Sequence, residues 1–436
     1  MTITYLKRAD ATIAEAGTAD ARDTVEIMLA RIRQGGEATV REYAQRLDRW
    51  DGEVVVGRDQ MAEAAQHVTP ELRDAIRYAH DNIRRFAEAQ RSSLSEFEVE
   101  LRPGLMAGQR VIPLDAAGCY VPGGRYSHIA SALMSITTAR VAGVGDVTAA
   151  SPPRPGEGIP AAILYAMWLA GADRALALGG VQAVAAMAEG HFGAGRADIL
   201  VGPGNQYVAE AKRQLFGEVG IDMFAGPTDV LIIADETADP DLVAWDLVGQ
   251  AEHGGNSPVW LVCDNRALAE AVMGRIADCV AQLPEPNRSA ARQAWAERGE
   301  VILCEGREEM ALVSDRYAPE HLHVQAEDLA WWKTRLRSYG SLFLGARACV
   351  TFGDKAAGPN HVLPTDRAAR YTGGLSVHKF LKTVTWQRVA DEALPELVRA
   401  SSVISREEGM VGHAISAEMR EEHFLTPPSL KLVSGA

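Results

Sequence analysis

Four polar constellations in this sequence have residue types and spacings that could do chemistry. Gln250 and His253, in QAEHG, stand three apart near the end of a helix expected to start near Asp239. That spacing puts both side chains on one helix face and offers an amide oxygen and an imidazole to a metal. Glu320 and His321, in APEHL, are adjacent at the mouth of an apolar run, where they could act as general acid–base groups. Neighbouring strand residues face opposite ways, so a shared site there requires a turn. Asp354, Asn360 and His361 fall in GDKAAGPNHVLPT, a loop of glycines and prolines without a regular period. Rigid polar loops of that composition commonly carry function. Late in the chain, His413 follows Glu408 by five residues. Taken singly, each feature reads equally as ordinary polarity: a helix end, a strand cap, a turn, a surface histidine.

Three glycine-rich segments could instead hold a phosphate: CYVPGGRYSH over 119–128, LGGVQA over 178–183 and GPGNQY over 202–207. Glycine lets backbone N–H groups approach an anion, and the following helix N-terminus favours negative charge. Alone, each is also what a tight strand-to-helix turn looks like. No GxGxxG fingerprint follows a strand in the usual place.

Elements must position these groups. Apolar residues at three- and four-residue spacing predict helices over 21–34, 37–46 and 70–90. From about Gly118, short apolar runs alternate with helical stretches of about ten residues, the pattern of parallel βαβ units. A second series of the same kind begins near Pro258. The expected fold is α/β: two Rossmann-like parallel-sheet domains with a helical N-terminal region and a helical C-terminal tail. The expected divisions are 1–117, 118–236, 237–372 and 373–436.

The formal net charge is −14, from 44 Lys and Arg against 58 Asp and Glu. That balance disfavours nucleic acid or an anionic membrane as partner. Five cysteines occur without a CxxC pair, consistent with reduced thiols in a cytoplasmic protein, and the first residues have no apolar segment of the kind a signal peptide needs.

In order along the chain, YVPGG, GG-x-Q-A, GPGN followed by AEAKR, AGPTDVLIIAD, QAEHG, APEHL, GS-x-FLG and G-x-NHVLPT, with the late Glu and His, resemble the histidinol dehydrogenase family from about Gly118 to His413. The resemblance implies Zn²⁺ held by Gln250, His253, Asp354 and His413, and NAD contacted by Tyr120, Gln182 and Asn205. It implies Glu320 and His321 as the acid–base pair. It also implies a homodimer in which the tail, with Glu408 and His413, completes the partner's site. The implied reaction is a four-electron oxidation of a small primary alcohol through a bound aldehyde to a carboxylate.

The substrate segment reads AGPTD, with Thr228 where the family usually has Ser. The stretch ARYTGGLSVHKFLKT contains Arg370 and Lys379, and with the opening ITYLKRA it looks like the sulfopropanediol 3-dehydrogenase branch. The expected substrate is therefore 2,3-dihydroxypropane-1-sulfonate, whose sulfonate needs fixed cationic or N–H donors. Thr228, His321, Asp354, Glu408, His413, Arg370 and Lys379 are the expected substrate contacts. Glu408 keeps L-histidinol as the alternative, since a carboxylate suits its ammonium and imidazole. A catalytically silent metabolite-binding paralogue is the alternative of another class.

Overall fold

The structure is a computed structural model that describes residues 3–10, 18–123, 128–224 and 226–425. Part of the YVPGGRYSH segment (124–127) and Ala225 of AGPTD lie outside the described residues.

The strands are β1 (Thr4–Lys7), β2 (Val55–Gly57), the hairpin β3 (Phe97–Arg102) and β4 (Leu105–Pro113), a first parallel series β5 (Ala116–Tyr120), β6 (Asp146–Ser151), β7 (Arg174–Ala177), β8 (Ile199–Val201) and β9 (Gly220–Ile221), a second series β10 (Val230–Ala234), β11 (Val259–Cys263), β12 (Glu300–Leu303), β13 (His321–Gln325) and β14 (Ser341–Leu344), and the late strand β15 (Leu381–Val389). The first sheet is ordered β2-β7-β6-β5-β8-β9 and the second β1-β12-β11-β10-β13-β14. In each, the first strand of the series is central, the second and third lie to one side, and the fourth and fifth lie to the other. Each carries one antiparallel edge strand against its third strand, β2 on β7 and β1 on β12. The two halves thus repeat one topology without an evident repeat of residues. The N-terminal region contributes helices, as its periodicity predicts, and also these two edge strands.

β10 reads VLIIA and β11 VWLVC, and four of five residues or more are buried in each. Continuous apolar runs of this kind form strands covered on both faces. The helix Pro240–Ala251 runs back between them, started by the Asp239 side chain, which accepts the Asp241 N–H at 2.8 Å.

The two sheets and the N-terminal helices form one compact unit, residues 1–91 with 113–380; residues 92–112 with 381–436 form a second. The second unit has its own three-stranded sheet, β15-β4-β3, and a helix pair, Leu394–Glu407 and Val411–Leu425. The pair is held by Arg406 on Glu418 and leaves Val403, Ile404, Met419 and Phe424 more than half exposed. Among the described residues no helix is long and apolar enough to cross a membrane.

In doubly wound sheets the crevice for ligands opens at the carboxyl ends of the strands, where the order reverses. In the first sheet that point lies between β5 and β8. In the second it lies between β10 and β13, and there it is bridged by Asp235, whose carboxylate accepts the N–H groups of Glu327 at 2.7 Å and Thr237 at 2.9 Å.

Candidate active site

β10 and β13 are neighbours in register, with Val230 opposite His321, so Thr228, Asp229 and Glu320 arrive side by side just before the two strands begin. The Thr228 hydroxyl donates to Glu320 Oε2 at 2.5 Å and accepts from Gln250 Nε2 at 2.5 Å. The Asp229 N–H donates to the same Glu320 oxygen at 3.1 Å, and the Glu320 N–H donates to Asp229 Oδ1 at 2.7 Å. His321 Nδ1 lies 2.8 Å from the Asp229 carbonyl oxygen. A carbonyl can only accept, so Nδ1 carries a proton and Nε2 is the nitrogen left to exchange one. Nε2 sits 3.3 Å from Asp354 Oδ1 without an aligned hydrogen bond. Glu320 precedes the strand and escapes its alternation, which is how it comes 3.6 Å from His321 Nδ1.

Burial dominates the electrostatics. It pushes the Glu320 carboxyl up to about 7, although the His321 charge and the donors Thr228 and Asp229 pull the other way. Asp229 is held well above the usual carboxylate range by burial and by the Glu320 charge. For His321, burial favours the neutral ring, but the Glu320 and Asp354 carboxylates outweigh it and raise it to about 9. Burial would also raise Asp354, yet the His321 contact, with His361 and Lys355 behind it, brings it down to about 2.

Asp354 is not in the irregular loop its surroundings predict but near the end of the short helix Val350–Lys355, and the loop after that helix is fixed from the first half of the molecule. His361 meets the Asp354 carbonyl oxygen through Nδ1 at 2.9 Å and Ser131 Oγ through Nε2 at 2.9 Å, while Asn360 Nδ2 donates to the Met134 carbonyl at 2.9 Å. Ser131 and Met134 lie in the helix Ile129–Ala142, which leaves the carboxyl end of β5. Lys355 adds a cation, and His128 a second imidazole. His128 is lowered to about 4 by burial first and then by the fields of His361, Lys355 and His253.

The residues present fit the zinc that the resemblance implies. Gln250 spends its amide N–H on Thr228, so its oxygen, which accepts no hydrogen bond among the described residues, is the coordinating atom on offer. Asp354 supplies a carboxylate. The His253 imidazole has no hydrogen-bond partner among the described residues. His253 is not on the helix as its spacing predicts: the helix ends at Ala251 and His253 lies in the turn beyond, its N–H on the Gln250 carbonyl at 3.3 Å. The turn follows from the glycines after it in EHGGNS, which are poor helix formers. No three His, Cys, Asp or Glu side chains converge on one point among the described residues; this set contains an amide, and His413 belongs to the second unit. There both His413 and Glu408 are exposed, Glu408 in the turn that follows the first tail helix and His413 in the first turn of the second.

Tyr120, Gln182 and Asn205 stand at the carboxyl ends of β5, β7 and β8. The Tyr120 hydroxyl accepts the Gly180 N–H at 3.1 Å. Asn205 Oδ1 caps its own helix through the N–H groups of Tyr207 and Val208 at 3.0 and 3.1 Å. Gln182 Oε1 is buried without a hydrogen-bond partner. Gly202, at φ 114°, presses so closely on Tyr120 that a Cβ there would lie 2.0 Å from the Tyr120 carbonyl oxygen. Its N–H donates to Asp222 Oδ2 at 2.8 Å, its carbonyl accepts from Lys212 Nζ at 3.0 Å, and Lys212 and Asp222 form a buried ion pair. A close-packed backbone cradle with an orphaned buried acceptor fits a dinucleotide.

The three residues expected to contact NAD thus stand where the strand-end rule puts a ligand on the first sheet, whereas in the second sheet Thr228, Glu320 and His321 gather at the opposite, amino ends. Arg370 is exposed at the end of the turn Ala368–Arg370, and Lys379 is half-buried in the turn Val377–Phe380; the cations whose fields reach Asp354 or His361 include Lys355 and neither of these two. Sequence reasoning missed Asp229, Ser131 and Lys355. Adjacency to Thr228 and Asp354 was a signal for Asp229 and Lys355, whereas nothing local marks Ser131.

Known proteins resemble this chain along nearly its whole length. The profile of the family described as histidinol dehydrogenase matches residues 12–421. A histidinol dehydrogenase homolog of Ruegeria pomeroyi is 70% identical over 99% of both chains, and the sulfopropanediol 3-dehydrogenase of the same organism is 58% identical over 100% of both. The crystal structure of histidinol dehydrogenase from Elizabethkingia anophelis superposes with a TM-score of 0.88 at 32% identity, covering 96% of this chain and 95% of that one. The chain belongs to the histidinol dehydrogenase family and is an oxidoreductase acting on CH–OH groups.

Proposed function

We propose that the chain is a zinc-dependent, NAD-linked dehydrogenase that oxidises 2,3-dihydroxypropane-1-sulfonate to sulfolactate. One observation carries the catalytic part: the unbroken run from Gln250 through Thr228 and Glu320 to His321 and Asp354, which joins candidate metal ligands to an acid–base pair. Gln250, His253 and Asp354 would hold the zinc, with His413 as fourth ligand. When bound, the metal polarises the alcohol oxygen and the nicotinamide accepts hydride. His321, with Nδ1 committed to the Asp229 carbonyl, takes the hydroxyl proton at Nε2. The aldehyde stays in place. Glu320, oriented by the Thr228 hydroxyl and the Asp229 N–H, takes a proton from water as it adds to the aldehyde, and the hydrate would lose a hydride to a second NAD⁺ and a proton to His321, which has released its first to solvent, leaving the carboxylate.

The sulfonate is favoured by the full-length relative of that name and by Lys355, a cation beside Asp354. The protein acts as a homodimer, each tail giving His413 and Glu408 to the other copy. The exposed apolar residues of the tail helices suit burial against a second chain.

Purified protein with zinc and NAD⁺ tests the reading against the sulfonated diol, L-histidinol and glycerol. NADH should form with the sulfonated diol. Lys355→Met should lower its kcat/KM by roughly tenfold while sparing glycerol, as for loss of one charge-assisted contact. NADH formation with L-histidinol alone would replace the sulfonate with the histidinol reading.

A further inference from the structure

Asp48 ends the turn that follows the long N-terminal helix, far in sequence from every glycine-rich segment. Its carboxylate is half-buried at the carboxyl end of the first sheet. Oδ2 accepts the Gly179 N–H at 3.0 Å and Gln182 Nε2 at 2.8 Å. Oδ1 has no hydrogen-bond partner among the described residues. It lies over Gly179, where a Cβ would be 2.5 Å from Oδ1 and 2.9 Å from Pro152, so glycine is what admits the carboxylate.

Its location carries the argument. Pro152 follows β6 and Gly179 follows β7, the second and third strands of a series whose first strand is central. In doubly wound dinucleotide folds an acidic residue past the second strand accepts the hydroxyls of the adenosine ribose, and a cation in that neighbourhood accommodates a 2′-phosphate. Here β6 runs directly into Ser151-Pro152-Pro153, which offers no carboxylate. Asp48 supplies one from another part of the chain. It also occupies the Gly179 N–H at the start of the helix Gly180–Glu189, and the Tyr120 hydroxyl takes the Gly180 N–H, so an anion there meets a negative charge in place of free donors. The carboxyl is raised above its ordinary value, by burial first, which the bonds from Gly179 and Gln182 only partly offset. A further donor, such as a hydroxyl, would relieve it.

Resting on the NAD-linked reading, we propose that Asp48 binds the adenosine ribose through its open oxygen and makes the enzyme select NAD over NADP. The Gln182 amide, held by Asp48 through its N–H, is thereby oriented for the same ligand. A 2′-phosphate would be brought against a partly desolvated carboxylate, a like-charge contact that disfavours the wrong partner.

The test is direct binding, without turnover. NADH and NADPH are each titrated into the full-length protein and followed by nucleotide fluorescence and by calorimetry. The wild type should bind NADH at least about tenfold more tightly than NADPH, and Asp48→Ser should shrink that ratio by about tenfold, chiefly through tighter NADPH. Asp48→Asn keeps an oxygen for the Gly179 N–H and loses the charge, so it provides a folded variant, checked by circular dichroism, if the serine variant does not fold. It should shrink the ratio in the same direction. A wild-type ratio near one, or an unchanged ratio in a folded variant, overturns the assignment alone. Tighter NADPH than NADH in the wild type also overturns it and points to Arg154, exposed beyond β6. Binding of neither nucleotide overturns the NAD-linked reading and this assignment with it.

Discussion

At the scale of single residues, the site works by denying water to charged groups and returning hydrogen bonds selectively. Glu320 receives two donors yet is pushed up to about 7, because burial outweighs them. An acid with a raised value holds its proton to higher pH, so the fraction able to act as a base falls as pH drops through about 7. The rate of the hydration-dependent second oxidation should fall over that window. Glu320→Gln should remove the acid limb and slow that step by about 10²–10⁴; pre-steady-state traces of NADH formation, resolving first and second hydride, would check it. An unchanged acid limb in the variant would remove Glu320 from the role of base. The residue types here were legible early: Glu320, His321, Gln250 and Asp354 come together in one cluster of close contacts. Their partners were not. Ser131 reaches His361 across 230 positions, and no local pattern encodes a contact of that separation.

At the scale of elements, the decisive fact is which end of a sheet a strand presents. The alternation of strands and helices was readable because buried parallel strands are continuous apolar runs. The end at which chemistry occurs was not, since the carboxyl-end rule describes the first sheet and fails for the second. The rule reflects where loops diverge at a reversal of strand order. It is silent when a loop from elsewhere, here 354–361, is brought to the opposite edge. The GPGN junction shows what an element needs to hold a cradle open. Asp222 and Lys212 grip both backbone groups of Gly202. Asp222→Ala would strand a buried ammonium, and should cost about 3–5 kcal/mol of stability, read from urea unfolding midpoints. Replacing both partners by apolar residues, Lys212→Met with Asp222→Leu, should recover most of that loss in stability. A single variant as stable as the wild type would mean that the pair does not brace the loop.

At the scale of the whole molecule, periodicity foresaw two α/β halves, whereas the composition of the second compact unit, which draws 92–112 together with 381–436, was not visible. Its hairpin and late strand meet only through long-range pairing, which leaves no signature in either segment. If the tail of one copy completes the site of the other, damage to the two parts should complement. Mixing a His413→Ala chain with a His321→Ala chain under conditions of subunit exchange should restore about a quarter of wild-type activity, since half the dimers are mixed and each mixed dimer has one intact site. No recovery, with exchange verified by differently tagged chains, would place each site within a single chain.

The bridge that Asp235 builds from the end of β10 to Glu327 has a consequence for how such a molecule could arise. Two halves with one topology begin with two equivalent berths for a nucleotide. Here one berth is lined with glycine and the other is stoppered by a carboxylate already saturated with backbone N–H groups, at the spot where a phosphate would dock. The stopper commits the second half to a different trade. With that rim closed, the second half gathers its titratable side chains at the other, so that one strand order presents an open glycine-lined rim in the first half and a crowded workbench in the second.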